Sequence, residues 1–505
     1  MKITRVTAAL LAGIALAGTA VSCTKKDGGK ETESAVTESV TVVGDQTPKA
    51  VYDKLISEAE KFNGRTFTIL FGGNLANDDY IFDEDSDERV ESAQYRRRAK
   101  LEEDLGIKVN PIEKTFWPQC FGNGPFHDEV AAVVLGGGMD YDLIYGGIYE
   151  CASLTTSGHL SSLSRTPHVD LSGSWYDQDA IKSLAINGDV FFINGDFSIT
   201  DDDYTHCILF NKKIADDNGI TTAAIYDHVR NRTWTVDRLG TYVKDMYKDL
   251  NGNSVPDYGD QFGLLTWNDS CPAMVAACGT RIATLNKDGE AELTMKNEKV
   301  LSMLSKYFSY AYDSSVAINY QTLSGLGFDN ETARDNIFTN DLAFFAQSMI
   351  CYVRQYRGML SEFGILPYPT YDESQKDFYT YATLSVMNAV CIPLDVRSRE
   401  LTGAFLEAAS ILGQIIVVPE YYEETLERKV ARDDESKEML DIIFSSKIYD
   451  VGMFYNIGSM YSNLLSMFAD KKNTYVVLEA AYRGQMNTRL DEINSSIADL
   501  IASYK

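Results

Sequence analysis

Residues 66–71 read TFTILF and run into Gly72-Gly73; residues 88–105 then carry helical charge spacing, Gly106 stops that helix, and residues 107–112 (IKVNPI) read as the next strand. The rhythm continues. A helix over 128–135 ends in Gly136-Gly137-Gly138, and residues 141–145 (YDLIY) form another short buried strand running into Gly146-Gly147. Strands alternating with helices over short connections predict an α/β fold with a parallel sheet, whose ligands bind beyond the carboxyl ends of the strands. Gly72-Gly73 and Gly146-Gly147 are expected at that edge.

Working outward, the chain begins with a segment that is not part of the fold. Lys2 and Arg5 make a charged start, residues 10–20 an apolar core too short to span a bilayer comfortably, and Ala20-Val21-Ser22 place small residues ahead of Cys23. Residues 1–22 read as a signal peptide. The thiol at the cut resembles a bacterial lipobox, with Ala20 where Leu is more usual, so Cys23 is the expected lipidation site and the mature protein is extracytoplasmic and lipid-anchored to the cell membrane. Residues 23–50 then form a polar tether without an aromatic residue, which cannot bury enough surface to offset the entropy of ordering. Its 27 residues after the cysteine would reach on the order of 90 Å when stretched. Folded chain is expected from near Val51.

About 440 residues remain, too many for one core and right for two or three lobes. No later stretch reads as long and apolar enough to cross a membrane, so the lipid is the only anchor expected. Lys plus Arg number 46 against 73 Asp plus Glu, and the formal charge of −27 becomes −29 without Lys2 and Arg5. Such a surface repels phosphate backbones, which excludes nucleic acid as a partner. With Cys23 lipidated, 7 of the 8 cysteines remain, an odd number without CxxC or metal-ligand clustering, and buried free thiols are the expectation.

A resemblance becomes specific over a series of segments. FNGRTFTIL, ESAQYRRRAKLEEDLGIKV, YDLIYGG, LSSLSRTPHVDLSGSWYDQDA, HCILFNKKIADDNGI, RTWTVDRL, FGILPYPTYDESQ and VPEYYEETLERKVARDDESKEMLDII, in that order from Phe62 to about Tyr455, resemble the extracellular solute-binding proteins of bacterial carbohydrate ABC importers. The resemblance implies a maltose-binding-protein-like (type II periplasmic-binding-protein-like) fold: two lobes, each a mostly parallel sheet flanked by helices, joined by hinge crossings. It implies no enzyme, a carbohydrate ligand, a permease as partner, and a monomer. By analogy, lobe one is 64–200 with 370–415 and lobe two 203–365 with 418–505. The polar run Asp201-Asp202-Asp203 suits a first crossing. Leu366-Pro367-Tyr368-Pro369 suits a second, because proline fixes φ and keeps the preceding residue extended. Helices are expected over 421–431 and 435–445.

One segment carries metal chemistry. Asp249, Asn251, Asn253, Asp257 and Asp260 put oxygen side chains at positions one, three, five, nine and twelve of a loop, with Val255 offering its carbonyl at seven. That is the ligand spacing of an EF-hand-like calcium loop, preceded by an expected helix over 236–248. Ser254 in place of glycine at six and Asp260 in place of glutamate at twelve depart from it. The competing reading is an Asx-rich turn whose side chains cap their own backbone. No cofactor is required; a structural calcium is the one the sequence raises.

Sugar sites need flat apolar faces and planar hydrogen-bonding groups around them. Of four tryptophans, Trp234 reads as structural, with Thr235 as a helix N-cap behind it, and Trp117, Trp175 and Trp267 are the candidate platforms. Asn268, Asp269, Tyr145, Asn74 and Arg354 are the candidate polar partners. No HExxH, GxSxG, phosphate loop or GxGxxG is present, and the five histidines are scattered. The alternatives to a sugar receptor are a receptor for a peptide or other polar solute, and a polysaccharide-active surface enzyme or adhesin.

Overall fold

The computed structural model describes residues 47–59, 62, 64–73, 80, 88–115, 124–295, 297–323, 327, 329–426 and 434–504. The signal segment, Cys23 and most of the tether lie outside the described residues, as do Asn74 and Trp117.

Two mixed sheets organise the chain. The first runs in the order β2 (Ile107–Thr115), β1 (Arg65–Gly73), β3 (Leu143–Gly147), β13 (Asn388–Pro393), β4 (Leu160–Ser161), with β5 (Phe192–Ile193) also paired to β13. The second runs β10 (Ala317–Asn319), β7 (Phe262–Thr266), β11 (Ala343–Met349), β6 (His206–Asn211), β12 (Phe363–Leu366). A small hairpin pairs β8 (Ala283–Leu285) with β9 (Ala291–Leu293). Within each lobe, strands joined through helices are parallel: β1 with β2 and β3, and β7 with β10 and β11. The strands that arrive from the other lobe run antiparallel to these, β13 between β3 and β4 and β6 between β11 and β12. Both sheets therefore turn the same kind of edge toward the lobe junction: the ends of β3, β7 and β11 and the start of β6.

Local sequence accounts for the opening unit. The helix Arg89–Leu105 ends on Gly106 at φ 65°, a left-handed cap that favours glycine. Gly72 and Gly146 have a different reason from the ligand approach expected of a sheet edge. A Cβ on Gly72 would sit 1.9 Å from the Phe126 ring and one on Gly146 2.7 Å from it, so both make room for a side chain of the protein itself. Phe67 of β1 stacks on Phe405 at 4.0 Å and closes the lobe-one core.

Several elements differ from the sequence reading. Folded chain begins earlier than Val51: Thr47 accepts a bond from Ala50 N and caps the helix Pro48–Glu58, which starts inside the stretch assigned to the tether. The helix expected over 236–248 spans only Val236–Val243, because Lys244 is extended and Asp245 sits at φ 65°. The helical run Arg399–Thr425 is long and apolar enough to cross a membrane, contrary to the expectation that no such stretch follows the signal segment. It is the core helix of lobe one, and close backbone approaches fix it: Cβ atoms on Gly403 and Gly413 would collide with the carbonyls of Pro167 and Asp196.

The C-terminal region packs on both sides of the junction. The helix Asp434–Ser445 lies on β12, whereas Tyr504 donates to the Leu160 carbonyl at 3.0 Å and Asn187 to that of Asn494 at 3.2 Å. Between them, residues 446–450 bind the first crossing and the segment between β12 and β13. Lys447 bridges to Thr380 of the segment between β12 and β13, and its Nζ meets Asp201 at 2.6 Å, Asp202 at 2.9 Å and Asp177 at 3.2 Å.

Candidate functional site

Aromatic rings and polar groups from both lobes meet where β3 and β7 end. From lobe one, β3 passes through Gly146-Gly147 into the helix Ile148–Thr156, whose first turn carries Tyr149 and Glu150, both buried. From lobe two, β7 ends in Trp267, Asn268 and Asp269, which lead into the helix Ser270–Ala277. The segment between β12 and β13 contributes Tyr381 and Ser385, and the helix Met460–Ala469 contributes Tyr461.

The rings connect, Trp267 face to face with two neighbours and the others tilted. Trp267 stacks on His206 with centroids 5.4 Å apart and planes 13° from parallel, and on Tyr320 at 6.1 Å and 20°. His206 continues to Tyr381 at 5.3 Å, and Tyr149 of lobe one approaches Tyr461 at 6.4 Å. Tyr461 donates its hydroxyl to the Asp269 carboxylate and accepts from the Ser385 hydroxyl at 3.0 Å. Burial pushes the Asp269 carboxyl up to about 6, against the stabilising bond from Tyr461. Burial lowers His206 to about 3, so its ring is neutral and shares hydrogen bonds with Thr383 at 2.5 Å and Tyr368 at 3.3 Å. A stack of neutral rings beside carboxyl groups suits an uncharged, hydroxyl-rich solute better than an anion.

Among the described residues, three buried polar groups here have no hydrogen-bond partner: the Trp267 indole N–H, the Tyr381 hydroxyl and both Glu150 carboxyl oxygens. Leaving such groups unpaired costs roughly 1–3 kcal/mol each, which a bound polar molecule recovers.

The structure distributes the sequence candidates unevenly. Trp267, Asn268 and Asp269 come together at the junction. Asn268 joins the ends of β7 and β10, its backbone N–H donating to Gln321 at 2.9 Å and its Oδ1 accepting from Asn319 at 2.9 Å. Tyr145 shares its hydroxyl with Ser198 and Thr200, tying β3 to the first crossing. Trp175 is buried under Gly173, where a Cβ would lie 2.3 Å from the ring. Arg354 grips Asp203 through two contacts of 2.6 Å and lies over Tyr421. Trp234 is a core residue, with its N–H on the Pro367 carbonyl at 2.9 Å and Thr235 capping the next helix.

Tyr149, Glu150, Tyr381, Tyr461 and His206 were not among the sequence candidates. Tyr149 and Glu150 had a usable signal, since they directly follow a strand already assigned to the sheet edge. Tyr381 and Tyr461 had none in a chain with 30 tyrosines.

The loop at 249–260 lies elsewhere in lobe two. Asp249 accepts from Gly252 N at 2.6 Å and Ser254 N at 2.8 Å, and Ser254 at position six adopts φ 61°, the left-handed geometry that the usual glycine supplies. Asp260 accepts from Leu250 N and Tyr247, and Asp257 from the side-chain amides of Asn251 and Asn253. The donor set is all oxygen and suits calcium in kind, although among the described residues no three His, Cys, Asp or Glu side chains are grouped to hold a metal. The six described cysteines are all free, five of them buried.

No known protein-family profile matches the chain, and no curated protein does. Solved structures do match. An ABC substrate-binding protein from Listeria monocytogenes in complex with cycloalternan superposes with a TM-score of 0.53 at 15% identity, over 86% of this chain and all of that one. The galacto-N-biose/lacto-N-biose I-binding protein of the Bifidobacterium longum ABC transporter, with lacto-N-biose, gives 0.52 at 10%, over 88% and 99%. A solute-binding protein from Thermotoga lettingae bound with alpha-D-tagatose gives 0.52 at 14%, over 85% and 100%. The chain has the two-lobed fold of ABC solute-binding proteins.

Proposed function

We propose that this chain is the carbohydrate-capturing component of an ABC importer, closing its two lobes over a sugar and passing it unaltered to a permease. The similar structures carry cycloalternan, lacto-N-biose and tagatose. The observation that carries the reading is the ring stack beside unpaired hydrogen-bonding groups at the lobe junction. A solute contacting both lobes favours the closed state by its differential affinity, and the closed form is what a permease recognises. The protein acts outside the cytoplasm as a monomer held by lipid on Cys23.

A thermal-shift screen over oligosaccharides, amino acids and peptides tests this reading. A glycan in large excess over its Kd is expected to raise the melting temperature by several degrees, because it binds only the native state. A peptide hit in place of a glycan supports the polar-solute alternative, and hydrolysis products support an enzyme. Incorporation of radiolabelled fatty acid, lost in Cys23→Ser, tests the anchor.

For the 249–260 loop the reading is a calcium site that stabilises lobe two without touching the sugar. The EF-hand-like backbone at Ser254 and the oxygen-only donor set support it.

A further inference from the structure

The first turn of the helix Ile148–Thr156 presents two features that belong together. Gly147 caps the helix without a side chain, so the amides of this turn gain no side-chain acceptor from the cap. Glu150, in the same turn, is fully buried and neither carboxyl oxygen has a hydrogen-bond partner. That first turn is the end of the helix that follows β3, at the lobe junction. Its neighbour Tyr149 already reaches across to Tyr461, the donor to Asp269 of lobe two.

We propose that Glu150 is a ligand-contacting group of this junction that takes a hydroxyl of the captured solute, and that capture releases its proton to solvent. This rests on the carbohydrate-capture reading. Ile148 N–H already donates to the Met387 carbonyl at 3.3 Å, so the carboxyl is the group left for a sugar hydroxyl, which donates to it in a charge-assisted bond that favours the ionised form. Without the ligand, burial raises Glu150 to about 8, so at neutral pH its carboxyl is mostly protonated. Among the described residues, no cation on the surrounding elements offsets this. His127, on the helix Pro125–Leu135, is turned to Asp128 and Ser157; Asp450 binds the backbone of Ile282 and Ala283; and Arg489, on the C-terminal helix, is paired with Glu492. The Cys151 thiol is the titratable neighbour that feels Glu150, and it is neutral as well.

The sign follows. Where the free protein holds the proton and the complex does not, binding releases it, so affinity rises with pH up to about 8, by at most about tenfold per unit for one proton. Isothermal titration of wild type and Glu150→Gln with lacto-N-biose, maltotriose and cycloalternan, between pH 6 and pH 8 in two buffers of different ionisation enthalpy, tests this. For each probe that binds wild type, the expected result is release of up to one proton and affinity that strengthens toward pH 8. Glu150→Gln is expected to release none, to bind with a flat pH profile, and to be weaker by about tenfold or more at pH 8. A probe that binds wild type without proton release, and Glu150→Gln equally well, overturns the inference and leaves the capture reading standing. A screen in which only peptides bind overturns the capture reading. Infrared spectra of the ligand-free protein at pH 6.5 decide the protonation state independently: a protonated carboxyl band lost in Glu150→Gln is expected, and its absence from wild type overturns the inference.

Discussion

His206 and Trp267 lie ring on ring, 5.4 Å between centroids and 13° from parallel, joining the start of β6 to the end of β7 at the lobe junction. The contact makes Trp267 part of the core as well as of the candidate site, so truncation to alanine would confuse the two roles. Trp267→Phe separates them. The ring face survives and the unpaired indole N–H disappears; the melting temperature should move little, while affinity for a bound glycan falls about 2- to 10-fold, the worth of one hydrogen bond. Calorimetric titration beside thermal melts checks both halves.

Glu150 makes stability depend on pH in the ligand-free protein. Its folded value, about 8, lies above its ordinary 4.5. The stability it permits is therefore fully present below 4.5 and lost as pH rises toward 8. Relative to Glu150→Gln, wild type should lose roughly 3 kcal/mol between pH 5 and pH 8, read as diverging urea midpoints.

Lys447 holds three carboxylates, those of Asp177, Asp201 and Asp202, in a nearly dry setting. Removing it leaves buried negative charge without a counter-ion. Lys447→Met should cost about 3–5 kcal/mol. Because protonating the carboxylates relieves the repulsion, the loss should shrink on acidification, which melts at pH 5 and pH 8 would reveal.

The calcium reading predicts a higher melting temperature in millimolar calcium than in chelator, abolished by Asp249→Ala. Equal melting in both conditions would rule calcium out. Asp249 is the substitution of choice because it shapes the loop's tight turn through Gly252 and Ser254.

The fold was legible where local rules act locally. Gly106 and the apolar strands carry their conformations in their own chemistry, and Thr235 announces its cap. The site was half legible. Trp267, Asn268 and Asp269 stand together in sequence and in space, whereas Tyr381 and Tyr461 reach the same junction from distant segments that only tertiary packing aligns. Trp175 shows the converse: a ring in a loop looks available until Gly173 is seen covering it. The helix before the 249–260 loop was read too long because charge spacing does not disclose the left-handed turn at Asp245.

Small-angle scattering with and without the strongest-binding glycan tests the central claim most directly. Capture by lobe closure predicts a smaller radius of gyration in the saturated complex, with the mass of a monomer and the sugar recovered intact. A glycan that binds tightly while leaving the scattering profile unchanged would contradict it.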